Sequence, residues 1–170
     1  MITETVSNQY NCDLSIDHLK TGAIFGALSS DSIQFLLDRG TISHHKSNDF
    51  LFKEGDVANV FYIVLSGEIA ISRHDQDNQH RQLFGEGIIS FGQDIGYVSM
   101  IALLPRVADA MASKDTVTLK IDTHTFAQFH DQFPFDFGVL ILNLSRDMAR
   151  KLRLVSDTLA DHKISINWKG

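Results

Sequence analysis

Residues 95 to 110 join a glycine turn, a short amphipathic helical segment and a Pro-Arg corner that leads into a strand of small residues. Gly96 allows the backbone to approach a ligand closely, and the unpaired amides at the start of the helical segment favour an anion. Arg106 follows ten residues later, and its planar guanidinium can donate two parallel hydrogen bonds to a phosphate. An isolated arginine is more often a surface ion-pair residue, but this arrangement predicts a phosphate site.

The residues around Arg106 complete the predicted site. The amides from Tyr97 to Ser99 are expected to supplement the guanidinium, and charged hydrogen bonds of this kind contribute about 2 to 3 kcal/mol. In an alternating strand Asp109 faces the side opposite Ala108, where it is either solvated or, if turned inward, repels phosphate. The candidate ligand-binding residues, of which Pro105, Val107 and Ala108 rest on the family resemblance given below, are Gly96, Tyr97, Val98, Ser99, Pro105, Arg106, Val107 and Ala108.

A helix and a set of short strands must position this stretch. The segment from Phe25 to Leu37 predicts a helix, with Ser29 or Ser30 as its N-cap and Gly40 as its terminator. From Thr41 the apolar period changes to two. The strand candidates that follow are residues 41–46, 50–53, 60–65, 68–73, 82–84, 88–91, 108–112 and 116–121. Short strands separated by glycine-containing turns predict a jelly roll or a barrel.

The last third of the chain predicts two helices. The first covers residues 123–133 and ends before Pro134, and the second runs from about residue 135 to residue 159. Apolar residues spaced three or four apart form a stripe on the second helix: Phe137, Ile141, Leu144, Met148, Leu152, Val155 and Leu159. One interpretation is that the whole stripe packs on the sheets of the same chain. However, its second half extends beyond the surface that one barrel can cover. It therefore predicts a self-complementary homodimer contact.

The run from Ile95 to Ala108 resembles the phosphate-binding cassette of cyclic nucleotide-binding domains. In that family Phe-Gly-Glu is followed by small and aliphatic residues and then by Pro-Arg-x-Ala. The matching residues here are Gly96, Met100, Ile101, Pro105, Arg106 and Ala108. Residues 52–71 are similar to the characteristic hairpin of the family, and the resemblance extends from Phe25 to about Arg153.

This resemblance implies an α+β fold, in which a jelly-roll β-barrel is flanked by an N-terminal helix and a C-terminal helical lid. Residues 1–24 are then an N-terminal arm, residues 25–160 the domain with its long C-terminal helix, and residues 161–170 a tail. Many bacterial relatives of this fold add a helix-turn-helix module, for which the seventeen residues after Arg153 are too few. Output is expected through dimerisation, a separate protein or movement of the long helix.

The resemblance also implies a non-catalytic regulatory module of signal transduction that binds a cyclic nucleotide. The phosphate would be captured at Gly96 to Ser99 and Arg106, and the helix after Pro134 would close over the base. Val107 occupies a position that is often Ser or Thr in members favouring guanine, so its lack of a hydroxyl favours cAMP. The implied partners are a cyclic nucleotide or another small anion and a second copy of the chain.

Position 97 departs from the family pattern, because Tyr97 stands where the family has a glutamate that holds the ribose 2′-hydroxyl. A phenol offers one neutral hydrogen bond from an oxygen farther from its backbone, and its ring could fill the ribose space. We expect Tyr97 to weaken cAMP binding about ten- to a hundred-fold and Tyr97→Glu to restore it. The alternative is a degenerate cassette that keeps the fold for dimerisation or protein contact without a nucleotide.

Composition argues against several classes of partner. The net charge is −6 and the pI is about 5.7. The sequence also has no cluster of Lys and Arg of the kind that binds nucleic acid. No run of eighteen apolar residues occurs and no leader of signal-peptide type is visible, so no membrane partner and a cytoplasmic location are expected. The single cysteine, Cys12, excludes a disulfide framework within one chain.

Catalytic and metal sites are not expected either. His44 and His45 are adjacent and would point to opposite sides of a strand, and no spaced His-x-His and Glu set is present to bind a metal. No Ser-His-Asp or Cys-His set can be assembled with any specificity. The sequence therefore predicts a protein that is not an enzyme and has no cofactor besides a possible regulatory ligand, cAMP.

Overall fold

The computed structural model describes residues 12–74, 80–82 and 89–163. The helices in this part of the chain are α1 (Ile16–Leu19), α2 (Ser30–Arg39), α3 (Tyr97–Ile101), α4 (Thr123–Gln132) and α5 (Pro134–Asp161). The strands there are β1 (Thr41–His45), β2 (Phe50–Phe52), β3 (Val60–Ser66), β4 (Ile69–His74), β5 (His80–Gln82), β6 (Asp94–Ile95), β7 (Asp109–Ala112) and β8 (Thr116–Asp122).

The strands form two antiparallel four-stranded sheets, in the orders β1-β8-β3-β6 and β2-β7-β4-β5. Alternation along β3 separates two cores. Phe61 and Ile63 pack with the helices in one core, called the helix-side core, whereas Tyr62 and Val64 pack against the other sheet in the inter-sheet core. This arrangement confirms the predicted α+β jelly-roll fold, but the two sheets do not close into a barrel.

The segment before α2 is part of the same packed unit. Cys12, Leu14 and Leu19 are buried in the helix-side core. The side-chain amide of Asn143 on α5 donates to the carbonyl oxygens of Ile24 (3.0 Å) and Gly26 (2.7 Å). The boundary expected at residue 24 therefore falls inside the core, while residues 1–11 of the expected arm lie outside the described part of the chain.

The first predicted helix is confirmed as α2, together with its cap. The Ser29 side chain accepts a hydrogen bond from the amide of Ser32, and the chain leaves the helix at Gly40. Ser29 also donates to the Asp136 carboxylate at 2.6 Å, which fastens the start of α2 to the first turn of α5. Ile33 and Leu36 are buried, so this helix covers the helix-side face of the sheet.

Two strand predictions were wrong in position. The strand expected at residues 88–91 is only an isolated bridge between Ile89 and Ile69, and the paired strand β6 lies where a turn was expected. A turn precedes β6, because the amide of Ser90 donates to the Gln93 side chain and Gly92 has a φ of 73°. The strand expected at residues 82–84 is β5, which ends at Gln82, and residues 83–84 lie outside the described part.

The two C-terminal helices agree with the prediction, and α5 extends over 28 residues. Its apolar stripe is divided by its surroundings: Leu144 is fully buried, whereas Leu152 is 65% and Val155 37% exposed. The homodimer stays a prediction, and of the expected tail residues 164–170 are not described. No helix in the described residues combines the length and apolar character needed to cross a bilayer.

Candidate functional site

Gly96 stands at the start of α3 and adopts a left-handed conformation with φ of 89°. Its carbonyl oxygen accepts a hydrogen bond of 2.7 Å from Arg106 Nη1. A side-chain carbon at position 96 would collide with the Arg106 guanidinium. Glycine is therefore required here both by the backbone conformation and by the close approach of Arg106.

The Arg106 guanidinium is inside the protein, with 2% of the residue exposed. Its Nη2 donates to the carbonyl oxygen of Val60, and its central carbon lies 4.2 Å from the centre of the Phe52 ring. Nε is buried without a hydrogen-bond partner, and no described carboxylate lies within ion-pair distance of the group. Burial lowers the pKa of Arg106, and the nearby Tyr62 and Asp56 oppose this shift only in part.

The turn before β3 fixes the backbone of Arg106. The Arg106 amide donates to the Asp56 carbonyl at 2.9 Å, and the Gly55 amide donates to the Arg106 carbonyl at 2.8 Å. Asp109 is buried and accepts a 2.7 Å hydrogen bond from the Glu54 amide. Of the two alternatives for Asp109, solvation is therefore wrong; it is turned inward, but it holds this turn.

A cavity of about 280 Å³ lies between residues 96–108, called the cassette, and the long helix α5. Its walls are mostly apolar, as is usual for small-molecule sites. The cassette contributes Gly96, Val98, Ser99, Val107 and Ala108, α5 contributes Met148, Lys151, Leu152 and Val155, and the remaining wall consists of Phe52, Ile71, Asp94 and Ile95. This space is called the cassette cavity below.

Five of the eight candidate ligand-binding residues therefore line one space. The other three do not line it in this conformation. Arg106 lies behind Gly96 and the Phe52 ring, both of which line the cavity. Pro105 is exposed at the corner before it. Tyr97 is 4% exposed and its side chain lies in the helix-side core.

The Tyr97 ring packs in the helix-side core. Its centre lies 5.6 Å from that of Phe61 and 6.2 Å from that of Phe126, both in edge-on geometry. Burial raises the pKa of the Tyr97 phenol. The ring does not line the cavity, where the sequence suggested that it could fill the ribose space, because α3 directs its first side chain into the core while Val98 and Ser99 line the cavity.

A profile of the family described as cyclic nucleotide-binding domain matches residues 42–133, which is more than half of the chain. The chain belongs to this family. Among curated proteins, lysophospholipase NTE1 of Candida albicans is 27% identical over 112 residues, covering 64% of this chain and 8% of that protein. The chain thus spans less than a tenth of the curated relatives it matches.

Solved structures share the fold of this cyclic nucleotide-binding domain. A cyclic nucleotide-binding domain from Methylobacillus flagellatus superimposes with a TM-score of 0.75 at 18% identity, covering 90% of this chain and 83% of that one. The catabolite activator protein of Thermus thermophilus gives a TM-score of 0.70 at 22% identity, covering 84% and 63% respectively.

In this cyclic nucleotide-binding domain, the cassette cavity also contains a charged group that the sequence analysis missed. Lys151 Nζ donates to the backbone carbonyl of Asp94 at 3.0 Å and lies 3.6 Å from its carboxylate. The same ammonium forms an ion pair with Asp147 one turn earlier on α5. The spacing of Asp147 and Lys151 is a helical pair visible in the sequence, but nothing in the sequence places Asp94 beside them.

Both carboxylates of this group are removed from water, with Asp94 4% and Asp147 3% exposed. Burial raises the pKa of Asp94 from its usual 3.8 to about 6; Lys151 opposes the rise and Asp147 adds to it. Two carboxylates share one lysine, so the group has surplus negative charge when both are ionised. A hydrogen-bond donor or a proton would relieve that surplus.

The two adjacent histidines are engaged along the β1–β8 pair. His45 Nε2 lies 3.1 Å from Thr118 Oγ1, and His44 Nε2 lies 4.0 Å from the Asp115 carboxylate. Burial lowers the pKa of His45. Within the described residues, no three His, Cys, Asp or Glu side chains are grouped so that they could hold a metal ion.

Proposed function

We propose that this chain is a non-catalytic regulatory module that binds a cyclic nucleotide in the cassette cavity, with cAMP as the preferred ligand. The observation that carries the proposal is the Arg106 guanidinium, which is buried beside Gly96 with two carbonyl partners and with Nε left without a hydrogen-bond partner. A buried cation without an ion-pair partner is stabilised when an anion reaches it. The cyclic phosphate supplies that anion.

Phosphate binding requires Arg106 to exchange neutral partners for charged ones. Its hydrogen bonds to Gly96 and Val60 end on neutral carbonyl oxygens, whereas a phosphate carries a negative charge and can accept two parallel hydrogen bonds from the guanidinium. The side chain lies against the Phe52 ring, which forms part of the cavity wall. A turn of the guanidinium past this ring brings it to the cavity, where the Ser99 segment of α3 completes the phosphate site.

The apolar walls of the cavity suit a purine base. Phe52, Val107 and Met148 surround the space from three different elements, and apolar side chains with few polar groups are typical of nucleotide-sized sites. Val107 offers no hydroxyl for a guanine, which favours adenine. The cavity volume of about 280 Å³ is slightly below the usual range of about 300 to 1,000 Å³, so we expect the end of α5 to shift when a ligand enters. That movement is the proposed output.

A second candidate is a protein-interaction module without a nucleotide. It is favoured by apolar surface at the rim of the cavity, where Val98 and Ile101 on α3 and Leu152 on α5 are all about half exposed or more. A second copy of the chain could cover this surface through α5. In that case Arg106 is a structural residue that only fastens Gly96 and Val60.

Calorimetric titration with cAMP, cGMP and AMP separates the two candidates. We expect cAMP to bind most tightly and Arg106→Gln to weaken it by about a hundredfold through loss of the charged hydrogen bonds. Arg39→Gln, at an exposed arginine at the end of α2, is the matched control and should leave affinity unchanged. Thermal melting of both variants checks folding. A folded parent that binds none of the three nucleotides would overturn the proposal in favour of the second candidate.

A further inference from the structure

The strand that leads into the cassette carries an acidic side chain on the cavity wall. Asp94 begins β6 and lies two residues before Gly96, which follows the strand as the first residue of the turn into α3. Both line the cassette cavity. Among the described residues that line this cavity, Asp94 supplies the only carboxylate. A ligand seated against Gly96 is therefore within the reach of an acceptor that belongs to the same short segment.

The Asp94 carboxylate is not saturated by its lysine. Lys151 Nζ donates one hydrogen bond to the Asp94 backbone carbonyl and forms an ion pair with Asp147. Its distance of 3.6 Å from Asp94 Oδ1 exceeds a normal hydrogen bond of about 2.7 to 3.2 Å. A carboxylate has two oxygens and about four acceptor positions. Asp147 lies close enough to Asp94 to share a proton with it, and the remaining acceptor capacity is left for a donor that enters the cavity.

The charges around the cavity also favour one orientation of a bound ligand. Asp94 and Asp147 share one ammonium group, so this end of the cavity favours a donor and disfavours a phosphate. Arg106, behind Gly96, carries a positive charge without a described carboxylate partner and favours the phosphate. A molecule with an anionic group and a hydroxyl can satisfy both ends only in one orientation.

We propose that Asp94 accepts a hydrogen bond from a hydroxyl of the bound ligand, the ribose 2′-hydroxyl of a cyclic nucleotide, and so performs the task that position 97 cannot. This inference rests on the proposed function. Tyr97 is excluded from the task because its ring is packed between Phe61 and Phe126. Because Lys151 contacts Asp94 from α5, a hydroxyl bound at Asp94 also alters the contact that holds this helix over the cavity.

The test compares cAMP with 2′-deoxy-cAMP by calorimetry on the full chain. The parent should bind cAMP about tenfold tighter than the deoxy compound, the size expected for one hydrogen bond to a charged acceptor. Asp94→Ala should bind both compounds equally, and Asp94→Asn, which keeps the shape and a neutral acceptor, should show an intermediate preference. Asp147→Ala is the control: it removes a buried carboxylate that shares the same lysine but does not line the cavity. Because Asp147 raises the pKa of Asp94, its loss favours the ionised form of Asp94, and this variant should keep the tenfold preference.

The outcomes distinguish the two claims. A parent that binds both compounds equally, or an Asp94→Ala variant that keeps the preference, overturns the role of Asp94 and leaves the proposed function standing. Equal loss of the preference in the two alanine variants also overturns it, because the effect would then come from the charged group as a whole. A folded parent that binds neither compound overturns the proposed function and the role of Asp94 with it.

Discussion

Lys151 Nζ on α5 lies 3.0 Å from the backbone carbonyl oxygen of Asp94 on β6. This contact joins the C-terminal helix to the strand that enters the cassette, two residues before Gly96. Upstream of Lys151 the helix is anchored by Leu144 and Asp147, both buried, whereas beyond it the helix is largely exposed. A displacement of the cassette would therefore move Lys151, and with it the exposed end of α5.

Asp94 should make the stability of the protein depend on pH. Its pKa is raised to about 6 in the folded chain, so the folded state holds this proton more tightly than the unfolded state. The stabilising contribution of the protonated form is full below about pH 4 and is lost as the pH rises through 6. Asp94→Asn, which mimics the neutral form, should gain stability relative to the parent between pH 4 and pH 8, by up to about 3 kcal/mol.

Urea unfolding of both proteins at several pH values measures this difference. Asp38→Asn, at an exposed carboxylate on α2, controls for the loss of one negative charge. A free-energy difference between Asp94→Asn and the parent that stays constant from pH 4 to pH 8 would show that Asp94 titrates alike in the folded and unfolded states.

Gly96→Ala should damage the site and the fold together. The residue has a φ of 89°, and an added carbon would overlap the Arg106 guanidinium. Left-handed conformations cost non-glycine residues about 1 to 3 kcal/mol, so we expect a loss of that size together with weaker cAMP binding. Gly138→Ala is the control, because an added carbon there meets nothing within 4 Å and lies in α5. It should raise stability by about 0.5 to 1 kcal/mol, and equal effects of both variants would contradict the argument.

The regular elements could be predicted because their signals are local. The period of two and the glycine turns indicated the strands, and Ser29 and Gly40 marked the ends of α2. That Gly96 and Arg106 lie together could also be predicted, because their spacing of ten residues resembles the family cassette. The hydrogen bond from Arg106 to the Gly96 carbonyl was not predicted. The position of β6 was wrong because the turn at Gly92 was expected to include Asp94, whereas it ends at Gln93 and Asp94 already pairs with β3.

The residues that surround the cavity could not be predicted, because their positions depend on long-range packing. Asp94 and Lys151 are 57 residues apart in the sequence, and no local pattern links a two-residue strand to the middle of a long helix. Tyr97 opens a helix of five residues, which is too short for a period to show which side faces the core. Both errors concern the direction of a side chain and not the identity of an element.

The exposed end of α5 should mediate a homodimer. Leu152 and Val155 are apolar and at least one-third exposed on one face of the helix, and such a stripe is stable in water when a second copy covers it. The parent should sediment as a dimer at micromolar concentration and Leu152→Glu as a monomer. Leu154→Glu is the matched control, because Leu154 is also half exposed but lies on the opposite side of the helix. A monomeric parent, or equal dissociation by both variants, would contradict the predicted face.

Tyr97→Glu tests the correction at position 97. From the family pattern, this change was expected to restore a ribose acceptor and tighten cAMP binding. In the structure the side chain is 4% exposed and lies among Phe61 and Phe126, so a glutamate would place an unpaired carboxylate in an aromatic core. We expect a loss of about 3 kcal/mol or more in the free energy of unfolding and no gain in affinity.

Tyr97→Phe separates the loss of the hydroxyl from the burial of a charge. It keeps the ring and its edge-on contacts, so its free energy of unfolding should stay within about 1 kcal/mol of the parent. Urea unfolding and cAMP calorimetry on both variants and the parent provide the measurement. If Tyr97→Glu is as stable as the parent and binds cAMP about tenfold tighter, the side chain at position 97 faces the ligand, and Asp94 is not needed as the ribose acceptor. A destabilised Tyr97→Glu beside a stable Tyr97→Phe places the residue in the core and leaves the acceptor role to Asp94.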